Sequence, residues 1–402
     1  MHKALGTFVF AALLFTSTVI LISKLDGVTL IYDHRYDDNS LRFYAYKNYC
    51  VLPYMRHSYM ESNMNIFERI TLVLHITYDY LTDNILEQND GNEKLIEERL
   101  QLESWDGPVT LMITVPSAHV YKRIRNAKEK LSHFPSHVLR RLSVHLLFWS
   151  RYGCSMEAVD KLKEISSNWR YPINVARNVA RMNHQVLPAF QFVRSKYVLI
   201  SDSEFVFPDG FESRMCALAQ NQLTRNPKTA LVVRIFEVDG SIKKMPRNKA
   251  ELRELFLKGL AVEFHARYNM AAHTIPRLQQ WLNQEENKQE VNISSILKFS
   301  KYEWEPQFVS LNTIPFHDEN FPFSLRDNTV LRWEMCRQNY TFALVNDLFM
   351  VHRGIKTMKD LPLTKKRQKL SRAQFNSAMK LFEQRMDYRY PETKNLCPKF
   401  GP

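Results

Sequence analysis

The segment Tyr197 to Gly210 reads YVLISDSEFVFPDG. An apolar run stops at two acids, Asp202 and Glu204, with a single serine between them. Carboxylates two positions apart at the end of a strand can both reach one divalent cation, and oxygen ligands of this kind suit Mg²⁺ and Mn²⁺. Nucleotide phosphates often complete such a coordination sphere. Far downstream, the apolar run Leu344 to Val351 ends at His352, with Gly354 and Lys356 close behind. An imidazole added to carboxylates shifts the preference from Mg²⁺ toward Mn²⁺. A nearby lysine offers compact positive charge to a diphosphate. Taken alone, a D-x-E pair is equally a solvated turn, and His352 equally a core histidine with its hydrogen bonds met. The elements that carry them have to separate the two readings.

Five apolar, strand-like runs alternate with helix-like stretches. Ile70 to Thr77, Pro108 to Val115, Leu142 to Trp149, Lys196 to Ile200 and Ala230 to Phe236 read as strands. Asp79 to Leu102, His119 to Leu131 and Ile173 to Met182 have helical spacing. Strands alternating with helices predict an α/β fold with a mostly parallel sheet. Such strands are buried on both faces, which explains their continuous apolar character. In open α/β sheets the ligand sits beyond the carboxyl ends of the strands. Asp202 and Glu204 lie just past the end of the fourth strand, where a ligand-binding pair belongs.

Basic residues outnumber acidic ones, giving a net charge of +13. That balance suits an anionic ligand or surface. The bases are scattered, with local clusters at Arg123 to Lys130 and Lys365 to Lys369. No zinc finger, RNA-binding signature or basic heptad array accompanies them, so no nucleic-acid partner is expected. Residues Ala4 to Ile22 carry no charge and are long enough to cross a bilayer as a helix. They predict a signal anchor, with residues 1–3 in the cytosol, a stem over 23–63 and a lumenal domain over 64–402. A cleaved signal peptide is the alternative. Two sequons, at Asn292 and Asn339, agree with lumenal exposure. Five cysteines in a secretory compartment allow one or two disulfides, with the odd one free or paired between chains; the pairing is open.

Several segments in order carry a family likeness. Tyr171-Pro172-Ile173-Asn174 through Arg177-Asn178-Val179-Ala180 precedes the strand that ends at Asp202. Asn346-Asp347-Leu348-Phe349 through His352-Arg353-Gly354-Ile355-Lys356 follows. Thr229 to Glu237, Lys244 to Leu255 and Tyr302 to Pro306 add to the series. Together they resemble the LARGE-type glycosyltransferases, a family that also holds beta-1,4-glucuronyltransferases. The likeness spans about Ile70 to Tyr390. It implies a GT-A fold and inverting transfer of a sugar, with glucuronic acid as the family's example, from a UDP-sugar to a glycan or glycoprotein acceptor in the Golgi lumen, with Mn²⁺. By the same likeness Asp202, Glu204 and His352 would hold the metal. Arg177, Asn178, Asp202 and Lys356 would line the donor site. Asp318, in His317-Asp318-Glu319-Asn320-Phe321, would be the base. Two departures stand out. Glu204 replaces an aspartate, moving the oxygen by roughly 1.5 Å, one bond length. Phe323 to Asn328 replaces a glycine-containing loop, and without glycine that loop must take another path. The resemblance therefore also admits a catalytically degenerate lumenal protein that binds glycan or partners a transferase.

Overall fold

The computed structural model describes residues 22–25, 28–31, 41–58, 65–83, 97–163, 170–183, 191–358 and 361–401. Its strands in chain order are β1 (Ile22–Leu25), β2 (Val28–Ile31), β3 (Tyr44–Tyr46), β4 (Tyr49–Arg56), β5 (Ile70–Thr77), β6 (Val109–Thr114) and β7 (Leu142–Trp149), then β8 (Tyr197–Ile200), β9 (Phe205–Val206), β10 (Thr229–Val238), β11 (Ala261–Glu263), β12 (Ile293–Leu297), β13 (Gln307–Leu311) and β14 (Thr341–Arg353). β1 and β2 pair only with each other. The rest form one 12-stranded sheet in the order β12-β14-β10-β13-β8-β5-β6-β7-β4-β3, with β9 added to β14 and β11 to β10.

β5, β6, β7 and β8 are parallel. Their spatial order, β7-β6-β5-β8, runs in opposite directions on either side of β5. The crevice between the carboxyl ends of β5 and β8 is therefore a topological switch point, where open α/β sheets take their ligands. All of β6, and all but the last residue of β5 and of β7, are buried. That follows from continuous apolar runs covered on both faces. The helix Ile173–Ala180 packs on β5 and β6, and each of its residues is buried, Asn174, Arg177 and Asn178 included.

The sheet is mixed rather than mostly parallel. β13 runs antiparallel between β8 and β10, and β4 and β12 are antiparallel to their neighbours. Because β13 runs against β8, the chain enters β13 from the cleft end of the sheet, bringing Glu305 and Pro306 to that end. The sheet also begins further upstream than the expected boundary at residue 64. β3 and β4 form a hairpin along β7. The Cys50–Cys154 disulfide fastens it, a second joins Cys336 to Cys397, and Cys216 is left free. Among the described residues no helix is long and apolar enough to cross a membrane. The expected anchor, Ala4 to Ile22, lies outside the described residues except for Ile22, the first residue of β1.

β14 reaches the cleft through a bulge. Leu344 pairs with Val232 and Phe349 with Arg234, so Val345 to Leu348 bulge opposite Val233. Asp347 sits there with φ of 65°, a left-handed conformation that aspartate tolerates better than most residues. Its carboxylate is buried and paired with the buried Lys249 Nζ at 2.9 Å, and it also accepts from the Asn287 amide at 3.2 Å. Past the bulge, β14 resumes its register with β10 and sets His352 opposite Glu237. Lys249→Met should leave Asp347 buried without a counter-charge and destabilise the fold by about 3–5 kcal/mol. Urea unfolding measures this, and adding Asp347→Leu to the same chain should recover most of the loss.

Candidate functional site

The cleft is built from the carboxyl ends of β5, β8, β10 and β14 and from the segments flanking β13. Asp202 and Glu204 follow β8 in a turn that leads into β9. β9 pairs with the end of β14, and His352 is opposite Phe205. This pairing brings two sequence-distant candidates into contact. His352 Nε2 lies 3.1 Å from Glu204 Oε2, and Lys356 Nζ lies 3.9 Å from the same oxygen. The His352 ring and then Lys356 hold the Glu204 carboxyl below its usual range, against the effect of burial.

The other ring nitrogen, His352 Nδ1, is 3.1 Å from the Gly354 carbonyl oxygen. A carbonyl only accepts, so the proton on that side belongs to Nδ1. The facing Nε2 and Glu204 Oε2 then need a shared proton or a metal ion between them. A backbone carbonyl that fixes one imidazole nitrogen, leaving the other to ligate, is the arrangement that orients metal-binding histidines.

Asp202 turns the other way. Its Oδ1 is 3.3 Å from Arg177 Nη2 and 3.3 Å from His75 Nε2. Almost half of the side chain, 47%, meets solvent, yet protein surrounds the carboxyl closely enough for burial to oppose its ionisation. His75 and Arg177 outweigh that and hold the group well below the carboxylate range. His75 Nε2 accepts from Arg177 Nε at 3.1 Å, and its Nδ1 lies 2.6 Å from Tyr171 Oη. Among the described residues no three His, Cys, Asp or Glu side chains converge as a ready-made metal group. Glu204 and His352 meet, while Asp202 stands beside them, engaged with Arg177 and His75.

Arg177 and Asn178 organise the cleft from below. Arg177 Nη1 donates to Asp327 Oδ2 at 2.9 Å and to Asn174 Oδ1 at 3.1 Å. Burial raises the Asp327 carboxyl even though Arg177 pulls the other way. Asn178 holds the backbone of His317 in both directions, donating to its carbonyl at 2.8 Å and accepting from its amide at 2.9 Å. The two residues expected to line the donor site therefore also fix the segment that carries Asp318.

Asp318 is committed elsewhere. Its Oδ2 pairs with Arg385 at 2.9 Å, and its Oδ1 accepts from the Asn320 amide and side chain at 3.0 and 2.9 Å. Both oxygens of the expected base are engaged. Its neighbour Glu319 is held by Tyr46 Oη at 2.7 Å, by Lys47, and by Asn178 Nδ2 at 2.8 Å. Sequence reasoning missed His75, Tyr171 and Asp327. His75 had a signal: it is the one ring nitrogen donor near the carboxyl end of an otherwise apolar strand, ITLVLHIT. Asp327 lay in the run read only as a loop that had lost its glycines.

An open α/β sheet with acids, a histidine and a lysine gathered at its switch point defines a protein whose ligand site lies beyond the carboxyl ends of its strands. The particular family follows from comparison. The chain belongs to the family described as glycosyl-transferase for dystroglycan, whose profile matches residues 91–391. Beta-1,4-glucuronyltransferase 1 of Mus musculus is 25% identical over 347 residues, which cover 78% of each chain. The same-named protein of Homo sapiens is 24% identical over 342 residues, again 78% of each. A crystal structure of GalNAc-T7 with UDP, GalNAc and Mn²⁺ aligns over 85% of this chain and 53% of its own, at TM-score 0.36 and 8% identity, too loose a match to argue from.

Arg177 yields a direct test of this arrangement. Arg177→Met should strand the buried Asp327 without its cation and cost about 3–5 kcal/mol in chemical unfolding. Arg177→Lys should recover less than half of that, because one ammonium cannot serve two acids as a planar fork does.

Proposed function

We propose that this glycosyltransferase moves a sugar from a UDP-sugar to a glycan acceptor, using a divalent metal, in the lumen of the secretory pathway. The contact between His352 and Glu204 beside Asp202, at the switch point, carries this reading. Imidazole plus carboxylate is a donor set that fits Mn²⁺. Glu204 and His352 would hold the ion, with Asp202 next to them. When bound, the metal would neutralise the diphosphate as the leaving group departs. Lys356 adds a fixed positive charge on the same side. Arg177 keeps the Asp202 carboxyl ionised and oriented. The two disulfides suit an oxidising compartment, in keeping with Golgi residence and an N-terminal anchor. UDP-glucuronic acid is the donor that the relatives' name suggests, with inversion at the anomeric carbon.

One observation favours a second reading, a glycan-binding or transferase-partner protein on the same scaffold: Asp202 is engaged by Arg177 and His75 rather than aimed at Glu204 and His352. Titration calorimetry separates the two. The transferase reading expects UDP to bind only with Mn²⁺ present, Asp202→Ala to abolish that binding, and His352→Ala to weaken it by about 10–100-fold. Absence of UDP binding under any metal condition would overturn it.

A further inference from the structure

Most acids around the cleft are answered by bases, although the buried Glu237 opposite His352 has only His265 at 4.0 Å. Asp202 and Asp327 share Arg177, Glu204 faces His352, Asp318 pairs with Arg385, and Glu319 pairs with Lys47. Glu305 differs. It is half-buried, its Oε1 accepts from Thr329 Oγ1, and no basic side chain lies within ion-pair distance of it among the described residues. Its other oxygen is free to take a proton.

Its position follows from strand register. Along β13 and β8, Leu311 is opposite Tyr197 and Val309 opposite Leu199. Glu305 precedes the cleft end of β13 by two residues, close enough to Asp327 and Arg332 for its charge to act on both, as that of Asp202 does. A short chain of contacts leads the same way. Thr329 opens the helix Thr329–Arg337, and Asp327, two residues earlier, shares Arg177 with Asp202. The backbone on either side of Glu305 is fixed as well: its amide donates to the Ala272 carbonyl at 2.7 Å, and Pro306 follows it. A carboxylate with one oxygen tethered and one free, on a held backbone, is oriented for proton transfer.

We propose that Glu305, rather than Asp318, is the base that accepts the proton of the acceptor hydroxyl, an assignment that rests on the transferase reading above. The acceptor O–H bond breaks and its proton passes to the free Glu305 oxygen. The hydroxyl oxygen forms the new bond to the anomeric carbon. The old anomeric C–O bond breaks, and its electron pair leaves on the β-phosphate oxygen of UDP.

The test is UDP release by the purified full chain from UDP-glucuronic acid with Mn²⁺ and a panel of p-nitrophenyl monosaccharides as acceptors. Glu305→Gln should bind UDP with Mn²⁺ like the wild type while kcat falls by about 10²–10⁴-fold and KM stays nearly constant. The charged and titratable groups facing Glu305 are Asp327 and Arg332, on or next to the helix Thr329–Arg337, and His273, just after the turn Met270–Ala272. If the Gln variant does not fold, Glu305→Asp decides: kcat lower by at least about tenfold with UDP binding intact supports the base, and an unchanged kcat overturns it. A Gln variant within about fivefold of wild type, or an Asp318→Asn variant that loses kcat as deeply while still binding UDP, also overturns the assignment. A wild type that releases no UDP defeats the transferase reading itself, a result distinct from an active wild type with an equally active Gln variant.

Discussion

Arg177 carries a permanent positive charge into the protein interior, where two acids from separate parts of the chain meet it. Removing a guanidinium from water costs several kcal/mol, recovered only when geometry and partners are good. Asp202, just past β8, and Asp327, ahead of the helix Thr329–Arg337, supply them. The guanidinium thereby fixes the tip of a central strand and the far side of the cleft relative to each other. Burial disfavours its charge, and the two acids more than compensate. A lysine has neither the reach nor the planar fork to span this gap. Asp202 and Asp327, on the two sides of the cleft, both depend on this ionic bridge.

A second constraint bears on the segment His317 to Glu319, which is held by both ends of the chain. From the upstream side, Tyr46 and Lys47 in the turn of the β3–β4 hairpin grip Glu319. From the downstream side, Arg385 on the long helix Leu361–Arg389 grips Asp318 and also Glu334. Asn174 and Asn178 hold the same backbone from beneath. Acids so thoroughly matched hold this backbone in place. The wall of the cleft opposite the metal candidates is thus firm.

Much of the architecture was legible because the central strands are apolar without interruption. Ile70–Thr77 and Leu142–Trp149 coincide with the expected runs, and the helix Ile173–Ala180 begins where the spacing places it. Period and β-branched content report burial on both faces, and that is what these elements experience. β13 itself was not legible, since QFVSL is only five residues long and carries a glutamine and a serine. The hairpin Tyr44–Arg56 was hidden for another reason. Its tyrosines, lysine and asparagine look like a polar connector, yet Tyr44, Tyr46, Tyr49 and Tyr54 lay their rings against a small core that includes Val51, Val175 and Val179. In the site, His352 could be anticipated because an apolar strand delivers it. The engagement of Asp318 could not, because Arg385 lies 67 positions away on a helix with no sequence cue for that pairing.

The same hairpin has a practical consequence for anyone producing the folded domain alone. A chain started at residue 64, the boundary the composition suggests, would lack β3 and β4. β7 would then become the outer strand, and the backbone groups that now face Tyr49 to Leu52 would lie bare. An open edge of this kind recruits strands from other molecules. Cys154 would become an unmatched thiol, available for scrambled crosslinks between copies. Soluble, well-behaved material therefore requires that the cut fall upstream of Leu41.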